Sequence, residues 1–168
     1  MADRSSAIVP AAVGAWLTYL PLDFLLHASF LAKWWHATEA SWLPPLELAR
    51  RIPIAYCAFG LYSAGLSWLL VAVHGRRPGI VTGLRFGTLV GALFGLSSTL
   101  GMYSLLPIPT SFLLVGTAST TIATAASGGA AAWVLAGGSE WRRVGALLGI
   151  ALLLFVAGVV AQNLLGSL

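Results

Sequence analysis

Long uninterrupted apolar runs are the feature that most restricts how this chain can fold. A helix needs roughly 20 consecutive apolar residues to cross the hydrocarbon core of a bilayer, and five runs in the sequence reach that length. They cover about residues 8–31, 52–73, 83–106, 111–136 and 144–165. Lipid cannot satisfy open backbone groups, so each run is expected to be helical. We therefore predict an all-α fold, a polytopic transmembrane helical bundle of about five spans: a four-helix core plus a C-terminal helix.

The scarcity of charge supports the same prediction. Charged residues make up 8% of the 168 residues, whereas a soluble domain has about 25%. Because so little chain lies between the runs, residues 1–168 are predicted to form a single integral membrane domain. The first run carries Asp23 and His27 and is too long for a signal peptide, so we expect it to be retained.

Lysine and arginine predict the orientation, since they collect on the cytoplasmic side of a membrane. With five spans, one side would hold Arg4, Arg76, Arg77, Arg85, Arg142 and Arg143, and the other would hold Lys33, Arg50 and Arg51. This distribution favours a cytoplasmic N-terminus and an external C-terminus. It also accounts for the net charge of +4 without nucleic acid as a partner.

Glycine recurs at every fourth position in the run GLRFGTLVGALFG. That spacing keeps the glycines on one slowly slanting face of a helix, and small residues allow helices to approach closely in lipid. We predict helix packing at Gly83, Gly87, Gly91, Gly95, Gly116, Gly128, Gly145 and Gly149. The alternative is a smooth groove for a flat ligand such as a pigment or quinone.

An ionisable pair lies in the first run, in the segment DFLLH. Asp23 and His27 are four residues apart, so their side chains can meet on one helix face. Ionisable residues deep in a membrane are costly and are candidates for function. The pair could relay a proton, bind a cation or hold a pigment metal through the free imidazole nitrogen. It could equally be structural, with Asp23 capping N–H groups near Pro21 and His27 satisfying Asp23.

Aromatic and basic residues mark the predicted membrane interfaces, where Trp and long cationic side chains concentrate. The predicted interface and lipid contacts are Trp34, Trp35, Trp42, Arg76, Arg77, Arg85, Arg142 and Arg143. His36 and Glu39 could share a helical face, but two such residues are more typical of a solvated surface, so no metal site is predicted. No nucleophile with a base and no covalent haem motif is present, which predicts a protein that is not an enzyme.

Two segments carry a resemblance to a known group of proteins. Asp23-Phe-Leu-Leu-His27 followed by Leu31, and GLRFGTLVGALFGL ending near Tyr103 and LPIP, resemble small polytopic bacterial membrane proteins of unknown function over about residues 8–136. The resemblance implies a bacterial inner-membrane bundle, commonly of four helices, with the acidic residue and histidine of the first helix pointing inward. Ala28 stands where that group has glycine, and the fifth run is an addition. No activity follows from the resemblance.

Three functions remain open on the sequence alone. The leading hypothesis is a non-enzymatic accessory or scaffold subunit, because small-residue faces exceed what five helices need for their own packing. Its partners would be the lipid bilayer and another membrane protein, or further copies of the chain. The first alternative is a small proton- or cation-coupled carrier or channel that uses Asp23 and His27. The second is a pigment- or haem-associated subunit with His27 as the ligand, and no cofactor is assigned.

Overall fold

A computed structural model describes residues 3–27, 31–36 and 43–165, and everything in this range that has regular structure is helical. The helices are α1 (Asp3–Leu25), α2 (Ala32–His36), α3 (Pro45–His74), α4 (Ile80–Leu105), α5 (Thr110–Leu135) and α6 (Glu140–Leu165). The predicted all-α class is therefore confirmed. Trp42, Glu39 and Ala28 lie outside the described residues.

Four of the helices contain a segment long and apolar enough to cross a membrane. These segments are Ala7–Leu25, Leu46–His74, Ile80–Leu105 and Glu140–Leu164. Large apolar side chains on their outer surfaces are exposed, among them Leu61 at 77% and Leu153 at 72%. Such surfaces suit a hydrocarbon environment, where apolar exposure carries no penalty.

The fifth long helix, α5, has the length of a span but is not among these four segments. It contains 26 residues, as α4 and α6 do, yet Ser, Thr and Gly occupy much of it. It packs against α1, α3, α4 and α6 and contains more buried residues than any other helix in the described part of the chain. Since neighbouring helices cover α5, its side chains need not be lipophilic. The fifth span stays a prediction.

The core lies where α1, α5 and α6 meet, with α3 closing one side. Ala11 and Ala15 of α1, Leu70 of α3, Val134 of α5 and Leu147 of α6 are all buried there. Alanines on α1 and α5 bring the helix axes close together, because small residues permit near contact of backbones. α1 thus runs through the bundle rather than along its surface.

Helix boundaries differ from the predicted spans at two places. α1 ends at Leu25, several residues before the predicted limit at 31. α3 begins at Pro45, before the predicted limit at 52, so residues 45–51 are continuous with the span. Proline is well tolerated in the first turn of a helix, where its missing N–H has no partner to lose.

Candidate functional site: the Asp23–His27–Ser119 contact and its cavity

Asp23 and His27 meet, as their spacing predicts, and a serine of α5 completes the contact. His27 Nδ1 lies 3.1 Å from Asp23 Oδ1 and 2.9 Å from the Asp23 backbone oxygen. His27 Nε2 lies 3.2 Å from Ser119 Oγ. The Asp23 and His27 side chains are 24% and 21% exposed, so the pair is half-buried and remains reachable. Both ring nitrogens of His27 therefore have a polar neighbour.

A local change in helix geometry positions His27. The backbone after Leu25 takes a π-type turn at residues 26 and 27, and Leu31 N–H donates to the Leu26 carbonyl at 2.8 Å, a five-residue step. Turns of this kind occur often at functional sites. In a membrane protein, irregular backbone is tolerated where it is buried in protein or lines a cavity. His27 meets the second condition, because it lines a cavity.

The hydrogen bonds accommodate either charge state of His27. A carboxylate or carbonyl oxygen only accepts, so Nδ1 carries a hydrogen toward Asp23. When the ring is neutral, the Ser119 hydroxyl can donate to Nε2. When the ring is protonated, Nε2–H donates to Ser119 Oγ, and that hydroxyl donates to the Gly116 carbonyl 3.0 Å away. A proton can therefore be gained or lost at Nε2 with the rotation of one hydroxyl group.

A cavity of about 150 Å³ lies against His27, near the turn that joins α4 to α5. Its wall is mainly apolar and includes Leu31, Trp34, Met102 and Phe112. Phe112 also belongs to a small buried cluster with Ile108 and Leu113. The cavity thus places a titratable ring beside an apolar space.

Aromatic rings and hydroxyls extend from this site along α1, α3 and α5. The Tyr19 hydroxyl lies near the Thr120 side chain, and Tyr62 Oη lies 3.1 Å from Thr124 Oγ1. The Tyr19 and Tyr62 rings meet edge to face, with centroids 5.8 Å apart. These contacts hold α1 and α3 against the polar face of α5.

The glycines of α4 lie on the surface that meets α5. Gly83, Gly87, Gly91 and Gly95 are all buried. A Cβ atom at Gly87 would collide with the Thr124 backbone oxygen, and one at Gly91 would come within 2.9 Å of Thr121 Cα. Gly128 stands against Gly83 from the α5 side. Gly83, Gly87, Gly91 and Gly128 therefore require the absence of a side chain.

Three other glycines that were predicted to pack occupy open space instead. A Cβ atom at Gly116, Gly145 or Gly149 would meet nothing within 4 Å among the described residues. Gly145 and Gly149 lie on the exposed side of α6, because α6 uses its other side, with Val144 and Leu147, to contact the core. Gly116 lines the cavity.

Gly14 and Gly158 also pack closely against other helices, although neither belongs to a regular repeat of glycines. A Cβ atom at Gly14 of α1 would come within 2.8 Å of Val134 Cγ2. One at Gly158 of α6 would come within 2.8 Å of Phe24. Isolated glycines give no periodic signal, so the sequence could not distinguish them. Ser119 is not singled out by the sequence, because its contact with His27 is visible only in three dimensions.

The interface residues that the structure describes are at helix ends or on the outside. Arg76, Arg77, Arg85 and Arg142 are exposed. Arg143 is half-buried and donates to the Trp133 carbonyl while its guanidinium lies over the Trp133 ring. Lys33 Nζ lies 5.7 Å from the centre of the Trp34 ring. The Trp35 side chain, like Trp42, lies outside the described residues.

Within the described residues, no group of three or more His, Cys, Asp or Glu side chains could hold a metal ion. Of the His36 and Glu39 pair, only the His36 backbone is described, in α2. Both nitrogens of His27 already have polar neighbours, so ligation of a pigment metal would have to displace Ser119. No protein family, curated protein or solved structure matches this chain.

Proposed function

We propose that this chain is a small proton-coupled carrier or channel of the bacterial inner membrane, with Asp23 and His27 as its proton site. The observation that carries the proposal is the contact of His27 with both Asp23 and Ser119 at the wall of an accessible cavity. Histidine is the side chain whose charge changes most readily near neutral pH. A carboxylate partner lowers the cost of its positive charge in a poorly hydrated site.

The geometry gives less support to a scaffold subunit than the sequence did. That hypothesis rests on small-residue faces left over after folding, and the faces of α4 and α5 are used against each other. The scaffold hypothesis keeps the support of Gly145 and Gly149, which are exposed on α6. A pigment-associated subunit has less support still, because a cavity of about 150 Å³ is of the size that holds benzene, not a tetrapyrrole.

Proton movement through purified protein tests the proposal. The protein is reconstituted into liposomes that contain a pH-sensitive dye, with valinomycin and equal potassium on both sides, and the outside is acidified. We expect the interior to acidify faster than in protein-free liposomes. Asp23→Asn and His27→Phe should each slow the protein-dependent rate at least about tenfold, since general acid–base groups contribute factors of this order or larger.

Two matched variants control for the loss of a carboxylate and of an imidazole elsewhere. Glu47→Gln removes an exposed carboxylate that lies 3.9 Å from Arg51, and His74→Phe removes an exposed imidazole beside Phe86. Both should retain the wild-type rate. Equal proton flux in wild type and Asp23→Asn, at equal protein content and helicity, would rule the proposal out.

A further inference from the structure

The cavity beside His27 has a size and lining that select a class of ligand. We propose that it binds a small, flat, mainly apolar molecule with one hydrogen-bond-accepting oxygen, such as an aryl ketone. This proposal rests on the proposed function, because it names the molecule whose binding would accompany protonation of His27.

The volume limits the part of the ligand that enters. An apolar cavity of about 150 Å³ in a protein interior holds benzene and stays free of water, and the cavity here has about the same volume. A single six-membered ring with one substituent fits that space. Gly95 and Gly116, which have no side chains, form part of the wall and keep the space open.

The wall offers few hydrogen bonds to a ligand. Thr99 and Thr117 lie on it, but their hydroxyls bond to each other and to the Leu113 carbonyl. Thr120 lies near the Tyr19 hydroxyl, and Ser98 is at the exposed edge of the wall. Burial of a polar molecule would leave its groups unpaired, at a cost of several kcal/mol in an apolar environment. The lining therefore favours an apolar ring with a single polar group.

His27 can bind that polar group without leaving another group unpaired. Its Nε2 contact with Ser119 is 3.2 Å long, at the upper limit for a good N–H···O bond. Ser119 has a second partner, the Gly116 carbonyl, at 3.0 Å. A ligand oxygen could therefore accept the Nε2–H of the protonated ring while Ser119 keeps its bond to Gly116. An acceptor gains from this exchange, whereas a molecule without oxygen does not.

A lipid-soluble molecule could reach the cavity from the side of the bundle. Ser98 lines the cavity and is exposed on α4, and Leu31, Trp34 and Met102 are half-buried. Among the residues that the structure describes, the space thus reaches the outer surface near α2 and α4. A substituent on the ring could lie outside the bundle at this opening.

Binding is measured by ¹⁹F NMR on protein in nanodiscs, with empty nanodiscs subtracted. The probe is 4′-fluoroacetophenone, and the reference is 1-fluoro-4-isopropylbenzene, which has nearly the same shape without an acceptor oxygen. We expect saturable binding of the ketone, with a Kd at least about tenfold lower than that of the reference, since a hydrogen bond to a charged group is worth that factor or more. Equal Kd values would overturn the proposal.

Two glycine variants locate the binding. Gly116→Leu puts a side chain into the cavity, where a Cβ atom meets nothing within 4 Å. Gly101→Leu is its control, because Gly101 is exposed, has equally open space and also accepts a hydrogen bond from the serine three residues on. Gly116→Leu should abolish saturable binding, and Gly101→Leu should leave the Kd within about twofold. Unchanged binding in Gly116→Leu would overturn the proposal.

A variant of His27 keeps the test valid if Gly116→Leu does not fold. In His27→Phe the ketone should bind no more tightly than the reference, and a retained tenfold preference would count against the proposal. The result is separable from that of the flux assay. Binding without proton flux refutes the proposed function alone, and proton flux without ketone binding refutes this inference alone.

Discussion

The hydroxyl of Ser119 is the residue-scale feature on which the site depends. It is buried, with 4% of the residue exposed, and joins the His27 ring of the first helix to the backbone of α5. An alanine at this position would leave His27 Nε2 without its hydroxyl neighbour. A buried polar group that loses its partner costs more than an average hydrogen bond contributes.

We expect Ser119→Ala to lower the free energy of unfolding by about 1–3 kcal/mol. The measurement is the loss of helicity during titration of mixed micelles with SDS. Thr88→Ala serves as the control, because Thr88 is exposed and its hydroxyl bonds only within its own helix, to Leu84 O at 2.9 Å. Its effect should stay within about 0.5 kcal/mol. A Ser119→Ala effect as small as that of Thr88→Ala would show that the contact is not stabilising.

The spacing of residues in the sequence predicted the Asp23–His27 contact but not the contact of His27 with Ser119. Asp23 and His27 are close in sequence, so helical geometry alone brings them together. Ser119 is 92 positions from His27, and no periodic pattern connects the two. The cavity was also beyond prediction, since it forms between side chains of α2, α4 and α5 that only tertiary packing assembles.

The element that orders the bundle is the pair α4 and α5. Its glycines face backbone atoms of the partner helix at Gly83, Gly87 and Gly91. Thr117 adds a hydrogen bond across the pair to the Gly95 carbonyl at 3.3 Å. The four-residue repeat predicted a packing face on α4. It could not show that Gly145 and Gly149 would be exposed, because the same spacing occurs on a surface that faces outward.

A matched pair of glycine substitutions tests whether this close approach stabilises the fold. In Gly87→Ala the new Cβ atom meets the backbone of Thr124 and Ala125, which cannot rotate away. We expect a loss of about 1–3 kcal/mol in unfolding free energy, as for other overpacked sites. Gly145→Ala adds the same atom in open space and should change stability by less than about 1 kcal/mol. Equal effects, measured by SDS titration, would contradict the interpretation of the α4–α5 contact.

For the whole molecule, the all-α class followed from the apolar runs because backbone satisfaction in lipid leaves few alternatives. The apolar runs constrain the number of spans less strongly than they constrain the fold class. α5 has the length of a span, but its Ser, Thr and Gly residues are used inside the bundle rather than against lipid. Hydropathy measures how readily side chains leave water. It therefore discriminates poorly between a span and a non-span for a helix that packs mainly against other helices.

Cysteine labelling decides whether α5 crosses the membrane. In a Cys57→Ala background, single cysteines replace Pro107, in the turn before α5, and Ser139, in the turn after it; both are exposed. If α5 is a span, a membrane-impermeant maleimide should label position 107 from outside intact cells and position 139 only in inside-out vesicles. Labelling of both from the same side would show four spans and reverse the predicted side of the C-terminus.

The burial of α5 also has a consequence for how the chain is made. About half of the residues of α5 are buried, and its most extensive contact is with α4, the helix synthesised just before it. Only residues 106–109 separate α4 from α5, and their glycine-lined contact is complete once both have been synthesised. If α5 is a span, the two helices are therefore suited to enter the membrane together as a hairpin.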